Sequence, residues 1–88
     1  MITKTIVVKN SSGIHARPAT LIVKEIGKFQ SDILFIKDGH EVNAKSIMGI
    51  MAMAAKKGEE IEVKVDGSDE KEALKAVIDL FESNFGEE

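Results

Sequence analysis

From Glu60 to Asp66 the chain reads Glu-Ile-Glu-Val-Lys-Val-Asp, a strict alternation of charged and β-branched residues. Successive side chains of a strand point to opposite faces, so this segment predicts a strand with one apolar and one wet face. A sheet containing it is open to water on one side and covered on the other. Antiparallel strands with helices packed on the apolar face are the economical solution.

The remaining segments supply the other parts. Ile2 to Lys9 carries Thr3, Thr5, Ile6, Val7 and Val8 and reads as a first strand. Asn10-Ser11-Ser12-Gly13 is a loop by composition. Over Ala16 to Lys28 the period changes: Ala19, Ile22, Ile26 and Phe29, widened by Val23, fall at helical spacing. Pro18 fits near the start of that helix, where the amide it lacks would have no intrahelical partner.

Asp32 to Lys37 predicts a second strand, Asp38-Gly39 a type I′ hairpin turn, and His40 to Asn43 the returning strand. Ser46 caps a short helix from Ile47 to about Ala54, with Lys56, Lys57 and Gly58 as helix-end signals. After Gly67-Ser68 comes a last helix. Asp69 with Glu72 reads as its capping box, and Leu74, Val77, Ile78, Phe81 and Phe85 as its apolar stripe. Glu87-Glu88 reads as a solubilising tail. The order is βαββαβα, an α+β chain, and order alone suggests a ferredoxin-like split βαβ arrangement.

Composition removes whole classes of function. The 88 residues are one domain's length, 1–88, with no linker-like stretch inside. With no cysteine and two histidines there is little from which to build a metal site, and none is expected. A net charge of −3 and the lack of Trp and Tyr argue against direct nucleic-acid binding. The longest stretch free of charged or strongly polar residues, Ile47 to Ala55, is far below the ~20 apolar residues of a membrane span. The N-terminal residues lack the pattern of a secretory signal, so a cytoplasmic protein is expected.

Of twelve basic residues a single one is arginine, Arg17. It precedes the only proline and stands two residues after His15, so Gly13-Ile14-His15-Ala16-Arg17-Pro18-Ala19 concentrates rare residue types where a loop becomes a helix. Free first-turn amides and the helix dipole make such a place hospitable to anions, and guanidinium donors match phosphate oxygens. A histidine there can act as a nucleophile whose phosphoryl product is cradled by its surroundings, with no bound cofactor. Read from the residues alone, the segment serves equally as a polar loop followed by a solvated first-turn arginine. Both readings stand at this point.

The second segment is Asn43-Ala44-Lys45-Ser46-Ile47-Met48-Gly49-Ile50-Met51. Ser46 needs no role beyond an N-cap, although a phosphate at that position would alter the local surface by about two negative charges. Ile47, Met48, Ile50, Met51 and Met53 exceed what one face of a short helix can bury. Ile50 is expected in the core, and some of the others exposed to partners. His40 reads as a solvated strand residue.

Taken together, the two segments resemble the histidine-containing phosphocarrier (HPr) family of the bacterial phosphoenolpyruvate:sugar phosphotransferase system. Gly13 to Ala19 looks like the family's phosphohistidine signature and Lys45 to Met51 like its regulatory serine segment, over essentially the whole chain. The resemblance implies an open-faced β-sandwich, a four-stranded antiparallel sheet with three helices on one face. It implies that His15, through Nδ1, accepts phosphate from phosphorylated enzyme I and passes it to the A domain of a sugar-specific enzyme II, with Arg17 neutralising the moving charge. The protein would then be a monomeric substrate of its neighbours, without turnover of its own.

Ser46 matches the position phosphorylated by HPr kinase/phosphorylase, and its context looks like the kinase-regulated branch. There the protein also serves as co-repressor with a catabolite-control transcription factor, and Ile47, Met48 and Met51 match the docking surface. Ser12, where the family frequently has threonine, is a minor departure. A purely regulatory paralogue would work through Ser46 alone, whereas a nitrogen-branch paralogue would keep the histidine motif. A nucleic-acid-binding domain lacks aromatic residues and positive charge, and a hydrolase built on Ser12 and His15 lacks a third orienting residue.

Overall fold

The computed structural model describes residues 1–86, so the Glu87-Glu88 tail lies outside the described residues. The elements are β1 (Ile2–Val7), α1 (Ala16–Ile26), β2 (Asp32–Lys37), β3 (His40–Asn43), α2 (Ile47–Met53), β4 (Glu60–Asp66) and α3 (Glu70–Glu82). A short 3₁₀ turn, Asn84–Gly86, follows. The expected βαββαβα order is observed. The first strand, first helix and second helix each end one or two residues earlier than their sequence patterns suggest.

The four strands form one antiparallel sheet in the order β1-β4-β2-β3. With β4 antiparallel to both neighbours, β1 and β2 run parallel on either side of it. This corrects the ferredoxin-like expectation, in which β3 would take the place between β1 and β2. The reason lies in the strands. All three inward residues of β4 (Ile61, Val63 and Val65) are fully buried, as a central strand requires. The four-residue β3 offers only half-buried Val42 and stays at the edge, paired Lys37 to His40 across the turn. Asp38 and Gly39 have φ of 53° and 80°, the left-handed pair that a type I′ turn demands.

The apolar face of the sheet, with Ile33 and Phe35 beside the β4 residues, is covered by Ala19, Ile22 and Ile26 of α1, Ile50 and Met53 of α2, and Ala73, Val77 and Phe81 of α3. Phe81 sits edge-on to Phe35 at 6.0 Å and to Phe85 at 4.9 Å between ring centroids, the arrangement aromatic quadrupoles favour. Thr5, Glu62, Ile36 and Glu41 share the opposite, wet face by register. The fold is thus the open-faced sandwich. Phe85, assigned above to the stripe of the last helix, lies beyond it in a left-handed conformation (φ 56°) while remaining buried.

Asp69 also corrects its expected role. It is the N-cap residue of α3, but its side chain makes no cap hydrogen bond. The carboxylate instead accepts from the amides of Gln30 and Ser31, both at 2.9 Å, and from the Ser31 hydroxyl. The expected capping box is therefore replaced by a lock between the start of α3 and the entry to β2. Among the described residues no helix is long and apolar enough to cross a membrane.

Candidate functional site

His15 is the N-cap of α1, with extended backbone angles (φ −110°, ψ −160°) and a carbonyl that accepts from Ala19 N at 3.0 Å. The residue is exposed at the helix start, and its imidazole makes no cap hydrogen bond. No acidic residue occupies the first turn, so the amides and dipole there are not offset by a carboxylate on the same turn. Arg17 is exposed one residue into the helix, whereas Pro18 and Ala19 are buried. Ala16, Arg17, Thr20, Leu21 and Lys24 form a shallow open surface along the outer side of α1.

The loop that carries His15 is held closely. Asn10 is buried; its Nδ2 donates to Gly13 O at 2.7 Å, and its carbonyl accepts from Gly13 N at 3.1 Å. Ile14, also buried, donates its amide to Ala55 O at 2.9 Å. Val8 and the 58–59 segment exchange two further bonds, Val8 N to Glu59 O at 2.9 Å and Gly58 N to Val8 O at 2.8 Å. The segment after α2 is thus a shelf from which the His15 loop hangs. Sequence reasoning missed this shelf, because nothing local marks Ala55 as a partner of Ile14.

Gly13 shows how tight the junction is. Its φ is +71°, and a Cβ there would lie 2.6 Å from Ala55 O and 3.1 Å from Lys56 Cα. Gly13→Ala is therefore expected to lower unfolding free energy by about 3 kcal/mol, the left-handed penalty adding to a clash against backbone. Denaturant unfolding monitored by circular dichroism checks this; an unchanged midpoint would refute it.

Ser46 is the N-cap of α2, as expected, its Oγ accepting from Gly49 N at 3.1 Å. Neighbouring Lys45 turns away, its Nζ donating to Phe29 O at 2.7 Å. The helix divides its apolar residues as its length requires: Ile50 and Met53 are buried, while Met48 is 79% exposed and Met51 and Ile47 about half as much or less. Because α1 and α2 pack against each other, His15 and Ser46 open two adjoining helices of one layer. His40 is exposed, and among the described residues no cluster of His, Cys, Asp and Glu could hold a metal ion.

Known proteins agree with this arrangement. A family profile described as the PTS HPr component phosphorylation site matches residues 2–83. Phosphocarrier protein HPr of Treponema pallidum is 52% identical over 88 residues, 100% of both chains. The HPr-like protein Crh of Halalkalibacterium halodurans is 46% identical over 82 residues, 93% of this chain and 98% of that one. The crystal structure of HPr-C-His from Thermoanaerobacter tengcongensis superposes with a TM-score of 0.95 at 51% identity, covering 100% of this chain and 99% of that one. With an exposed histidine opening α1 at the head of a matching fold, this chain belongs to the HPr family and is a phosphocarrier of the phosphotransferase system.

Proposed function

We propose that His15 is the phosphoacceptor, that Arg17 stabilises the phosphoryl group, and that residues 1–88 act as a single cytoplasmic, monomeric carrier domain. The observation that carries this reading is the placement of an exposed imidazole at the first turn of α1, two residues from a guanidinium, on a loop bonded at Asn10, Gly13 and Ile14. In the transfer, the bond from phosphorus to its donor on phosphorylated enzyme I breaks as a bond to the His15 ring nitrogen forms. Arg17 and the first-turn amides face the charge that arrives. Transfer to the A domain of an enzyme II reverses the step. The protein is consumed and regenerated by its partners, so it is a substrate and not an enzyme.

The test is labelled phosphate passed from phosphoenolpyruvate through enzyme I. The label is expected on a peptide containing His15, labile to acid. No label, with the same enzyme I active on another carrier, would overturn the assignment and leave a purely regulatory role through Ser46.

Ser46 is read as a regulatory site for a dedicated kinase/phosphorylase, with Ile47, Met48 and Met51 as the apolar surface on which that enzyme and a transcription factor dock. Ser46 lies at the opposite end of the α1–α2 layer from His15, so charge added there acts on an acidic partner surface that spans both helices and repels it. Ser46→Asp is expected to slow phosphate acceptance from enzyme I about tenfold, the equivalent of ~1.4 kcal/mol, while Ser46→Ala leaves it near wild type. Equal rates for the two variants in matched transfer assays would refute the electrostatic account.

A further inference from the structure

From the hydrogen bonds around the His15 shelf we infer that Lys37 and Glu59 are positioning residues for phosphoryl transfer, clamping both ends of the Ala55 segment and thereby fixing His15. The inference rests on His15 being the acceptor. Lys37 ends β2, and its side chain is only 17% exposed. Its ammonium lies 3.4 Å from Met53 O, 3.5 Å from Glu59 Oε1 and 3.7 Å from Asp38 Oδ2. It therefore grips the last carbonyl of α2 and a carboxylate six residues further along the chain.

Glu59 closes the second end. Its Oε1 accepts from Lys56 N at 2.6 Å while its own amide donates to Lys56 O at 3.0 Å, so main chain and side chain lock the same turn. The Lys56 amide, and after it the Lys37 charge, hold the Glu59 carboxyl below the ordinary carboxylate range. Between these anchors the chain must bend sharply. Ala54 is left-handed (φ 53°, ψ 42°), a conformation that disfavours a residue with a Cβ, so the bend needs external support.

The bend matters because Ala55 stands inside it. Ala55 O receives the Ile14 amide and abuts Gly13, and Ile14 adjoins His15 directly. Movement of the shelf is transmitted to the imidazole through one hydrogen bond and one peptide unit. In-line transfer is steeply sensitive to placement, so a small drift is costly in rate while the docking surface along α1 and α2 is untouched. Neither Lys37 nor Glu59 touches the phosphoryl group; both act through Ala55.

The experiment uses the full chain with enzyme I phosphorylated in advance. Single-turnover transfer gives the maximal rate and the half-saturating concentration separately, and amide exchange is followed at Ile14 and at core Val63. Glu59→Gln and Lys37→Met are expected to speed Ile14 exchange about tenfold with Val63 unchanged. The maximal transfer rate should fall about fivefold with half-saturation shifted less than about twofold, and Lys37→Arg should restore both. Unchanged Ile14 exchange, a rise shared by Val63, or a fall confined to half-saturation would overturn the inference. If Lys37→Met does not fold, Glu59→Gln alone carries the test. A His15→Ala chain that still takes up phosphate would remove the acceptor reading as well, whereas an inert His15→Ala beside a wild-type-like Glu59→Gln removes only the clamp.

Discussion

His15→Ala is expected to take up no phosphate from phosphorylated enzyme I while keeping its fold. The acceptor chemistry needs an unprotonated ring nitrogen, and the only other histidine, His40, sits exposed in edge strand β3 and opens no helix. Its surroundings offer neither first-turn amides nor an adjacent guanidinium, so it cannot substitute. The fold is expected to survive because the residue is exposed and its capping function is carried by backbone: the extended angles and the carbonyl bonded to Ala19 N do not require an imidazole. The measurement pairs transfer of labelled phosphate with far-ultraviolet circular dichroism. Residual uptake above a few per cent of wild type, in a folded variant, would move the acceptor elsewhere.

The second large effect concerns the lock between α3 and β2. Gly67 packs so closely on buried Ser31 that an added Cβ would lie 2.6 Å from Ser31 Cα and 2.8 Å from its Cβ. Neither atom is the end of a flexible side chain, so the backbone itself must move. Gly67→Ala is expected to cost about 3 kcal/mol, a large share of the 5–15 kcal/mol that holds a domain folded. Gly39→Ala is the comparison: unlike Gly67 it is left-handed, at φ +80°, but it has open space around it and should cost only about 1 kcal/mol. Equal unfolding midpoints for the two variants would refute the packing argument.

The same lock has a pH signature. The Ser31 hydroxyl first, then the Gln30 and Ser31 amides, hold the Asp69 carboxyl below the ordinary range. A carboxyl depressed in the folded state stabilises the fold above its unfolded value, and that contribution is lost as pH falls through the folded value. Wild type should therefore lose stability on acidification in this window, and Asp69→Asn should show a shallower slope there.

These predictions also show which parts of the molecule were legible in the sequence. The Asp38-Gly39 turn, the Ser46 cap and the alternation of Glu60–Asp66 are local codes, and the structure reproduces each. That Ile50 is buried while part of the apolar set of α2 stays exposed followed from counting how many apolar residues one face can hold; which methionine is buried did not. What failed was non-local. Asp69 was misread because its real partners, Gln30 and Ser31, are nearly forty residues away, while Glu72 stood temptingly three residues on. Strand order was unreadable for the same reason, since alternation marks a strand without naming its neighbour. Of the candidate site, the residues that present chemistry were visible as rare types in a cluster. The residues that hold them still, namely Ala55, Glu59 and Lys37, are common types with ordinary neighbours.

The position of β4 between β1 and β2 has a consequence in time as well as in space. Ile2 pairs with Val65, so the first strand synthesised waits for the last before it has a neighbour. The His15 loop hangs from Ala55 and Glu59, which also arrive late. A chain still emerging from the ribosome, or cut short before residue 60, already contains the histidine, the arginine and the sequence of α1. It lacks the sheet that would align them. On the proposed carrier reading, a chain becomes a competent acceptor only once β4 has joined the sheet.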